Sequence, residues 1–195
     1  MKNTIATLLV AVSTFAVAAN ANAENSFRPY VGVDYNYDNG NIFNYNTGSV
    51  NVGTQFNDYF GTEVFYQKSD RDAKNPHALG MELPLAKHSS DFQAYGLDLN
   101  GYLPMGCEQE FALIGSIGIG EYTFANSYNG WGQAFGGRNN DDHGIGYRFG
   151  LGGLYNITDD VALKAMARYI KLNKLADETG QTDMIEYTAG VRYNF

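Results

Sequence analysis

The chain has 195 residues, with 13 Lys and Arg against 21 Asp and Glu and a formal net charge of −8. This acidic balance argues against a nucleic-acid partner, because phosphate backbones are bound by clustered basic side chains. The single cysteine, Cys107, excludes an intramolecular disulfide framework, and we expect it to be a turn residue without chemical function. The 15 Tyr, 12 Phe and 23 Gly with only 4 Pro favour many strands joined by tight turns over a helical enzyme.

Residues 1–23 have the pattern of a secretory signal peptide. Lys2 is followed by an apolar run from Ile5 to Ala19, and the small residues Ala21 and Ala23 precede Glu24. The apolar run is too short to span a bilayer as a helix, so we expect cleavage after Ala23. Residues 24–195 then form one domain of ordinary size.

Strict alternation of apolar and polar or small residues predicts eight strands of about ten residues after the signal peptide. About ten residues is also the length that a tilted strand needs to cross a membrane. The predicted strands cover residues 29–37, 49–56, 60–67, 94–103, 111–120, 145–155, 161–170 and 186–195.

The connections between these strands alternate between short and long. Residues 57–58, 104–108 and 156–160 read as short turns, whereas 38–46, 68–91, 125–142 and 173–182 read as longer polar loops. This alternation predicts an all-β fold, an eight-stranded antiparallel up-and-down transmembrane β-barrel with both termini on the short-turn, periplasmic side. Aromatic residues fall near the strand ends, where membrane girdles lie: Tyr35, Tyr66, Tyr155, Tyr169, Tyr193 and Phe195.

The inward face of the predicted barrel carries charges of both signs. An eight-stranded barrel is just wide enough for side chains to fill it, and buried charges are tolerated only when they are paired. We therefore predict a closed ion-pair network in a filled interior; a gated ion path and a catalytic cluster are the alternatives. The predicted members are Asp34, Glu63, Asp98, Arg148, Lys164, Arg168, Glu186 and Arg192.

Three stretches resemble a known family of barrels. The segments VNVGTQFNDYFGTEVFY, YRFGLGGLYNITDDVALKAMARYI and EYTAGVRYNF are similar to the small outer-membrane barrels of the OmpA-like and OmpX/Ail-like kind. The resemblance covers all of residues 24–195 and implies the outer membrane of a Gram-negative bacterium. It also implies that Tyr193 and Phe195 act as the C-terminal signal read by the barrel-assembly machinery. Met166 departs from the family pattern, in which such strands often place a second inward acidic residue.

The resemblance further implies that the protein acts through its surface loops, in adhesion, serum resistance and envelope integrity. Loop three contains Tyr128, Trp131 and Phe135 among Gly and Asn, a composition typical of recognition surfaces. These three rings are candidates for contact with a host or surface ligand. The alternative is that the loops only shield the barrel mouth against lipopolysaccharide. We expect a monomer whose partners are outer-membrane lipid and lipopolysaccharide.

Two groups of residues resemble metal-binding motifs but lack the spacing that a metal site requires. The run Asp34-x-Asn36-x-Asp38 before Gly40 resembles a calcium loop, but the Gly comes one position late and no Glu closes the loop. The three histidines, His77, His88 and His143, fall in predicted loops without ligand spacing. We therefore predict no metal site and no cofactor.

Two other functions stay open. A low-conductance pore would depend on inward charges such as Arg148 and Glu63. A lipid A-modifying enzyme would need a nucleophile beside a base at the outer rim, where His88-Ser89-Ser90 and His143 lie. Neither serine has a base and an orienting acid that the spacing identifies, so we expect that the protein is not an enzyme.

Overall fold

A computed structural model describes residues 27–40, 44–69, 72–74, 77–78, 81–82, 87–106, 110–129, 139–173 and 182–195. Eight long strands account for most of them. They are β1 Arg28–Gly40, β2 Asn44–Gln55, β3 Phe60–Ser69, β4 Lys87–Met105, β5 Phe111–Asn129, β6 Asn139–Asn156, β7 Val161–Asn173 and β8 Asp183–Asn194. Three further strand pieces of two or three residues lie between β3 and β4.

The eight strands close into an antiparallel up-and-down barrel, as the sequence predicted. Each strand pairs with its neighbours in chain order, and β1 pairs with β8 from Tyr30 opposite Asn194 to Gly40 opposite Met184. The amide of Phe195 donates to the Pro29 carbonyl oxygen at 2.9 Å, so the seam is bonded to its end. No helix within the described ranges has the length and apolar character needed to span a membrane.

The register gives the barrel a stagger of ten residues. The row of paired residues that starts at Val33 reaches Ile145 on β6 when followed through β2, β3, β4 and β5. Followed through β8 and β7, the same row reaches β6 at Tyr155, ten residues further on. With eight strands this shear corresponds to a tilt of about 40° from the barrel axis, within the range of membrane barrels.

The two faces of each strand differ in chemistry, as the alternation predicted. The outer wall exposes Val33, Leu99, Ile117, Phe149 and Leu151, whereas the residues between them point into the lumen and are mostly buried. The residues predicted for the aromatic girdles lie on the outer face of the wall, and five of them are largely exposed: Tyr35, Tyr155, Tyr169, Tyr193 and Phe195.

The short connections are held by local hydrogen bonds. Asn57 Oδ1 accepts from the amides of Tyr59 and Phe60 at 2.8 Å, and Thr158 Oγ1 accepts from the Val161 amide at 3.0 Å. Gly106 follows β4 with a φ of 88°, a left-handed conformation that favours glycine. These turns mark the turn end of the barrel, and the opposite rim is its loop end.

The strands reach further towards the loop end than predicted. β4 begins at Lys87, β5 continues to Asn129 and β6 begins at Asn139, so the predicted loops 68–91 and 125–142 are partly strand. β4 and β5 pair continuously from Lys87 opposite Asn129 to Met105 opposite Phe111. The side chains of this segment are mostly polar, so the alternation is lost although the backbone ladder continues. β1 and β2 likewise extend into the predicted loop 38–46.

Candidate functional site: the lumen of the barrel

Seven of the eight predicted interior charges lie in one cluster at mid-height of the lumen, which we call the charge network. All seven are buried although they carry charge. Inward-facing glycines make room for them: a Cβ at Gly118 would collide with Asp98 Oδ1, and one at Gly190 would collide with Asp34 Oδ1. The members of the charge network are Asp34, Glu63, Asp98, Arg148, Lys164, Arg168 and Glu186.

Lys164 is the centre of the first half of the charge network. Its Nζ lies 2.8 Å from Asp34 Oδ2 and 3.4 Å from Glu63 Oε1. Asn51 donates to the same Asp34 oxygen at 2.6 Å, and the Tyr30 hydroxyl donates to Glu63 at 3.1 Å. Both carboxylates therefore depend on one ammonium group for charge compensation within 4 Å among the described residues.

Two guanidinium groups form the second half of the charge network. Arg168 Nη1 and Arg148 Nη2 donate to Glu186 Oε1 at 2.8 and 3.0 Å. Asp98 lies 3.7 Å from Arg148 Nε and 3.9 Å from Arg168 Nε, close enough for ion pairing but too far for hydrogen bonds. Arg168 also approaches the sulfur of Met166 at 3.2 Å, at the position where the resemblance leads one to expect an acid.

Arg192, the eighth predicted charge, lies apart from the network near the turn end. Its guanidinium stacks 3.7 Å above the Tyr30 ring and donates to Gln55, Tyr102 and Asn194. These acceptors are neutral, and the described residues give it no carboxylate within 4 Å. The side chain lines a cavity of about 560 Å³ that opens at the turn end.

Asp38 is a fifth buried carboxylate among the described residues, and it is not one of the predicted interior charges. Thr47 donates to it at 2.9 Å and Gln67 at 3.0 Å. The predicted first strand ends at residue 37, which places Asp38 in a loop. The spacing of Asp34, Asn36 and Asp38 at every second position is the signal in the sequence that extends the strand to Asp38.

A cluster of apolar side chains fills the lumen on the loop side of the charge network, and we call it the apolar plug. Phe92 is its centre, with ring centroids 5.1 Å from Phe124, 5.3 Å from Tyr45 and 6.0 Å from Tyr122. The Arg148 guanidinium lies 3.7 Å from the centroid of Phe65, where plug and network meet. The members are Tyr45, Phe65, Phe92, Ala94, Tyr122, Phe124, Ile170, Leu172 and Met184.

The remaining predicted site residues lie outside the lumen or outside the described residues. Tyr193 and Phe195 both face outward, with ring centroids 5.2 Å apart in an edge-to-face arrangement. Tyr128 belongs to β5, where its backbone is opposite His88, but neither side chain is described. Trp131, Phe135 and Cys107 lie outside the described residues.

The outer wall near the loop end carries a small polar cluster that bears on the enzyme alternative. Thr123 Oγ1 lies 3.0 Å from His143 Nδ1, and Glu121 Oε1 lies 4.0 Å from the same nitrogen. Tyr95 donates a hydrogen bond to Glu121. In a hydrolytic triad the nucleophile and the acid meet opposite nitrogens of the imidazole. Here they share one, which is not the arrangement that activates a hydroxyl.

The outer wall also carries a shallow apolar groove of about 860 Å³. It lies where Gly101 and Gly115, opposite each other on β4 and β5, present no side chain between Phe60 and Leu151. This groove is larger than the cavity at the turn end, and large side chains that face it from the outer wall, among them Phe60, Leu99 and Leu151, are apolar. Within the described ranges, no three His, Cys, Asp or Glu side chains are grouped in a way that could hold a metal ion.

Comparison with known proteins identifies proteins similar to this barrel. The family model described as outer membrane protein beta-barrel domain matches residues 7–195. Ail, the attachment invasion locus protein of Yersinia pestis, is similar in structure, with 15% identity, a TM-score of 0.56 and coverage of 88% of this chain and 99% of that chain. No curated protein matches the chain in sequence.

Two further crystal structures are similar in fold. Neisserial surface protein A has 18% identity and a TM-score of 0.55, covering 87% of this chain and 97% of that chain. A major outer membrane protein from Thermus thermophilus has 11% identity and a TM-score of 0.63, covering 87% of this chain and 100% of that chain. At such identities the likeness establishes the fold and no more.

Proposed function

Because the chain belongs to the outer membrane protein β-barrel family, we propose that it acts in the outer membrane as a filled barrel that anchors surface loops. In this proposal it contributes to envelope integrity and to contact with a host or surface ligand, and it has no enzymatic activity. Removal of residues 1–23 by signal peptidase is part of the proposal, and N-terminal sequencing of the purified barrel should then begin at Glu24.

The filled lumen is the observation that carries this proposal. The apolar plug and the charge network lie one above the other in the lumen, and an ion that passed along the lumen would have to cross both. Side chains from all eight strands meet there, so the strands are fixed from inside as well as by their ladders. A rigid, filled barrel is suited to holding loops in the membrane, since binding loops are commonly carried on rigid scaffolds.

Ail supplies a precedent for ligand contact on a barrel of this fold, because it has been crystallised with the heparin analogue sucrose octasulfate. We extend this only to the class of function: contact between loops and a ligand outside the cell. Tyr128, Trp131 and Phe135 are the proposed contact residues. Lipopolysaccharide around the barrel and the barrel-assembly machinery, through Tyr193 and Phe195, are its other proposed partners.

Loop replacement tests the contact proposal. Residues 75–86 and 130–138 would be replaced by Gly-Ser segments of equal length, together with Tyr128→Ala, so that all three proposed contact residues are removed. The same Gly-Ser replacement at 174–181 is the matched control. Cells with the first two replacements should lose surface binding, and the control should retain it. Equal mobility shifts on cold and boiled detergent gels would verify that all three barrels are folded. If the first two replacements bound surfaces as well as intact protein, the adhesion proposal would fail.

Planar-bilayer recording separates the filled barrel from the low-conductance pore. The intact protein should show no stable conductance steps, and neither should Arg148→Ala alone, because the apolar plug still closes the lumen. Arg148→Ala combined with Phe92→Ala and Phe124→Ala removes side chains from both layers, and conductance steps that appear only in this variant would show that the two layers close the lumen. Stable steps in intact protein that change with Arg148 or Glu63 would establish the pore instead.

The lipid A-modifying enzyme is tested by mass spectrometry of lipid A from cells with and without the protein. We expect identical lipid A in both, because the Thr123, His143 and Glu121 arrangement does not activate a hydroxyl. A mass difference that disappeared with His143→Ala would replace the proposal with an enzyme.

A further inference from the structure

Two buried acidic residues oppose each other on the seam that closes the barrel. Asp38 on β1 is paired in register with Glu186 on β8, and both side chains point into the lumen. Each is 0% exposed. Like charges placed directly opposite on neighbouring strands repel, and burial strengthens the repulsion because little solvent screens it. Closing the seam therefore brings together two groups that cannot both be ionised without compensation.

The cations nearby compensate only part of this pair. Both guanidinium groups, Arg148 and Arg168, donate to Glu186 Oε1, and the described residues provide no hydrogen-bond partner for Oε2. Asp38 receives hydrogen bonds from Thr47 and Gln67, which are neutral, and has no cation within 4 Å among the described residues. Asp38 and Glu186 are register partners on neighbouring strands with both side chains inward, which places their carboxyl groups side by side.

The surroundings of the pair contain a further buried polar group without a partner. The Tyr122 hydroxyl, on a side chain that is 0% exposed, has no hydrogen-bond partner among the described residues and interacts electrostatically with both Asp38 and Glu186. Other titratable or charged groups face the pair from β2, β4, β6 and β7, and β3 contributes the neutral Gln67. These groups are Tyr45, Asp98, Arg148 and Arg168.

The numbers of acidic and basic side chains at mid-height of the lumen also indicate that the carboxylates are incompletely compensated. Among the described residues, five buried carboxylates, the four acids of the charge network and Asp38, face three buried cations, Lys164, Arg148 and Arg168. Arg192, the fourth, lies beyond Tyr30 and Tyr102. Uncompensated buried charge is costly enough that a group takes up a proton or a counterion instead.

We propose that Asp38 and Glu186 form a proton-binding site, in which the two carboxyl groups share one proton when the barrel is closed. The proton sits between Asp38 and Glu186 Oε2, the oxygen to which no described residue donates a hydrogen bond within the geometric limits. Two carboxylic groups in contact commonly hold one proton between them, and the pair then titrates as a unit.

A proton suits this site better than a metal cation. The two guanidinium groups already lie within 3.0 Å of Glu186 Oε1, so an ion on Oε2 would be held close to two positive charges. Thr47 and Gln67 donate hydrogen bonds to Asp38, and a metal ion bound to this carboxylate would have to displace them. A shared proton removes the repulsion and leaves these contacts in place.

A shared proton links folding of the barrel to pH. The closed barrel binds a proton that the unfolded chain releases near neutral pH, since free carboxyl groups are ionised there. The stability gained from it is therefore complete only below the pKa of free carboxyl groups, about 4, and it falls as the pH rises from there until the pair itself releases its proton. One proton corresponds to a change of about tenfold in the folded-to-unfolded ratio for each pH unit over that range.

Equilibrium urea unfolding of the full chain, folded in detergent micelles and followed by gel mobility, tests the proposal from about pH 6 to about pH 10. Asp38→Asn keeps the volume and the acceptor oxygen and gives Glu186 Oε2 a donor. The intact protein should lose stability with rising pH by up to about tenfold per unit relative to Asp38→Asn. Asp34→Asn, the matched control, should be weaker at every pH with the slope of the intact protein, because Asp34 is paired with Lys164.

Equal slopes for the intact protein and Asp38→Asn would overturn the shared proton. Stability that rises with sodium over choline at constant ionic strength in the intact protein, but not in Asp38→Asn, would replace the proton with a bound cation. If Asp38→Asn does not fold, infrared spectra of the intact barrel decide. A protonated carboxyl C=O band at neutral pH that disappears in alkali and persists in Asp34→Asn and Asp98→Asn supports the site, and absence of the band refutes it. These readouts do not depend on what the loops bind.

Discussion

The apolar plug and the charge network occupy the same lumen, are built by the same strands and are buried to a similar degree, yet they are stabilised differently. In the plug, Phe92 contacts Tyr45, Tyr122 and Phe124 through rings whose contribution scales with contact area. In the network, each charge is tolerated only because its partners are within a few ångströms. The plug should therefore tolerate small changes of shape, whereas the network should lose stability when one member loses its charge, most of all where a single cation serves two carboxylates.

Lys164 offers the largest test of this difference. Lys164→Met keeps most of the volume but leaves Asp34 and Glu63 without the ammonium that lies within 4 Å of both. We expect a loss of about 3–5 kcal/mol or more in the free energy of unfolding, or failure to fold, since uncompensated buried charge is costly. Urea titration by gel mobility measures the loss.

Lys171→Met is the matched control for Lys164, because Lys171 lies on the same strand and is exposed on the outer wall. It should change stability little. Adding Asp34→Asn and Glu63→Gln to Lys164→Met should restore part of the loss, because the two carboxylates are then neutral. An unchanged deficit in the triple variant would mean that Lys164 contributes packing and not charge.

Phe92 gives the corresponding test in the apolar plug. Phe92→Ala removes a fully buried ring and leaves a cavity, which typically costs about 3–5 kcal/mol, whereas Phe92→Leu should cost less than about 2 kcal/mol. The graded loss is what distinguishes shape from charge, and both variants can be measured by the same urea titration. Equal losses for Leu and Ala would show that the plug depends on specific ring contacts.

The two regions also differ in how far the sequence could predict them. The charge network follows from strict alternation, because Glu63, Asp98 and Arg148 stand out between apolar neighbours. The apolar plug does not, because Tyr45, Phe92 and Phe124 lie on strand segments whose other residues are polar. Above the membrane, polar side chains can face outward on a strand, so periodicity no longer separates strand from loop.

Arg192 and Asp38 show a second limit, which is height along the barrel axis. Alternation says that a side chain points inward, but not which inward side chains meet. That depends on the stagger of ten residues, which arises from pairing across the whole sheet. It brings Asp38 opposite Glu186 and leaves Arg192 near Gln55 and Tyr102, although Arg192 and Arg168 look equivalent in sequence.

Substitution of the inward glycines should have the smallest effect on stability, and it tests only the packing of the charge network. A Cβ at Gly118 would collide with Asp98 Oδ1 and lie 2.7 Å from the Leu97 carbonyl oxygen, and one at Gly190 would do the same to Asp34 and the Val33 carbonyl oxygen. Because backbone is among the colliding atoms, each Gly→Ala variant should lose about 1–3 kcal/mol.

Gly48, on the outer wall, is the matched control for these two variants, since a Cβ there has no neighbour within 4 Å. Gly48→Ala should be neutral or slightly stabilising, because alanine restricts the unfolded chain more than glycine does. Thermal unfolding by circular dichroism would resolve the contrast. Similar stability for all three variants would mean that Asp98 and Asp34 can move aside at little cost, and that the charge network is less rigid than its contacts imply.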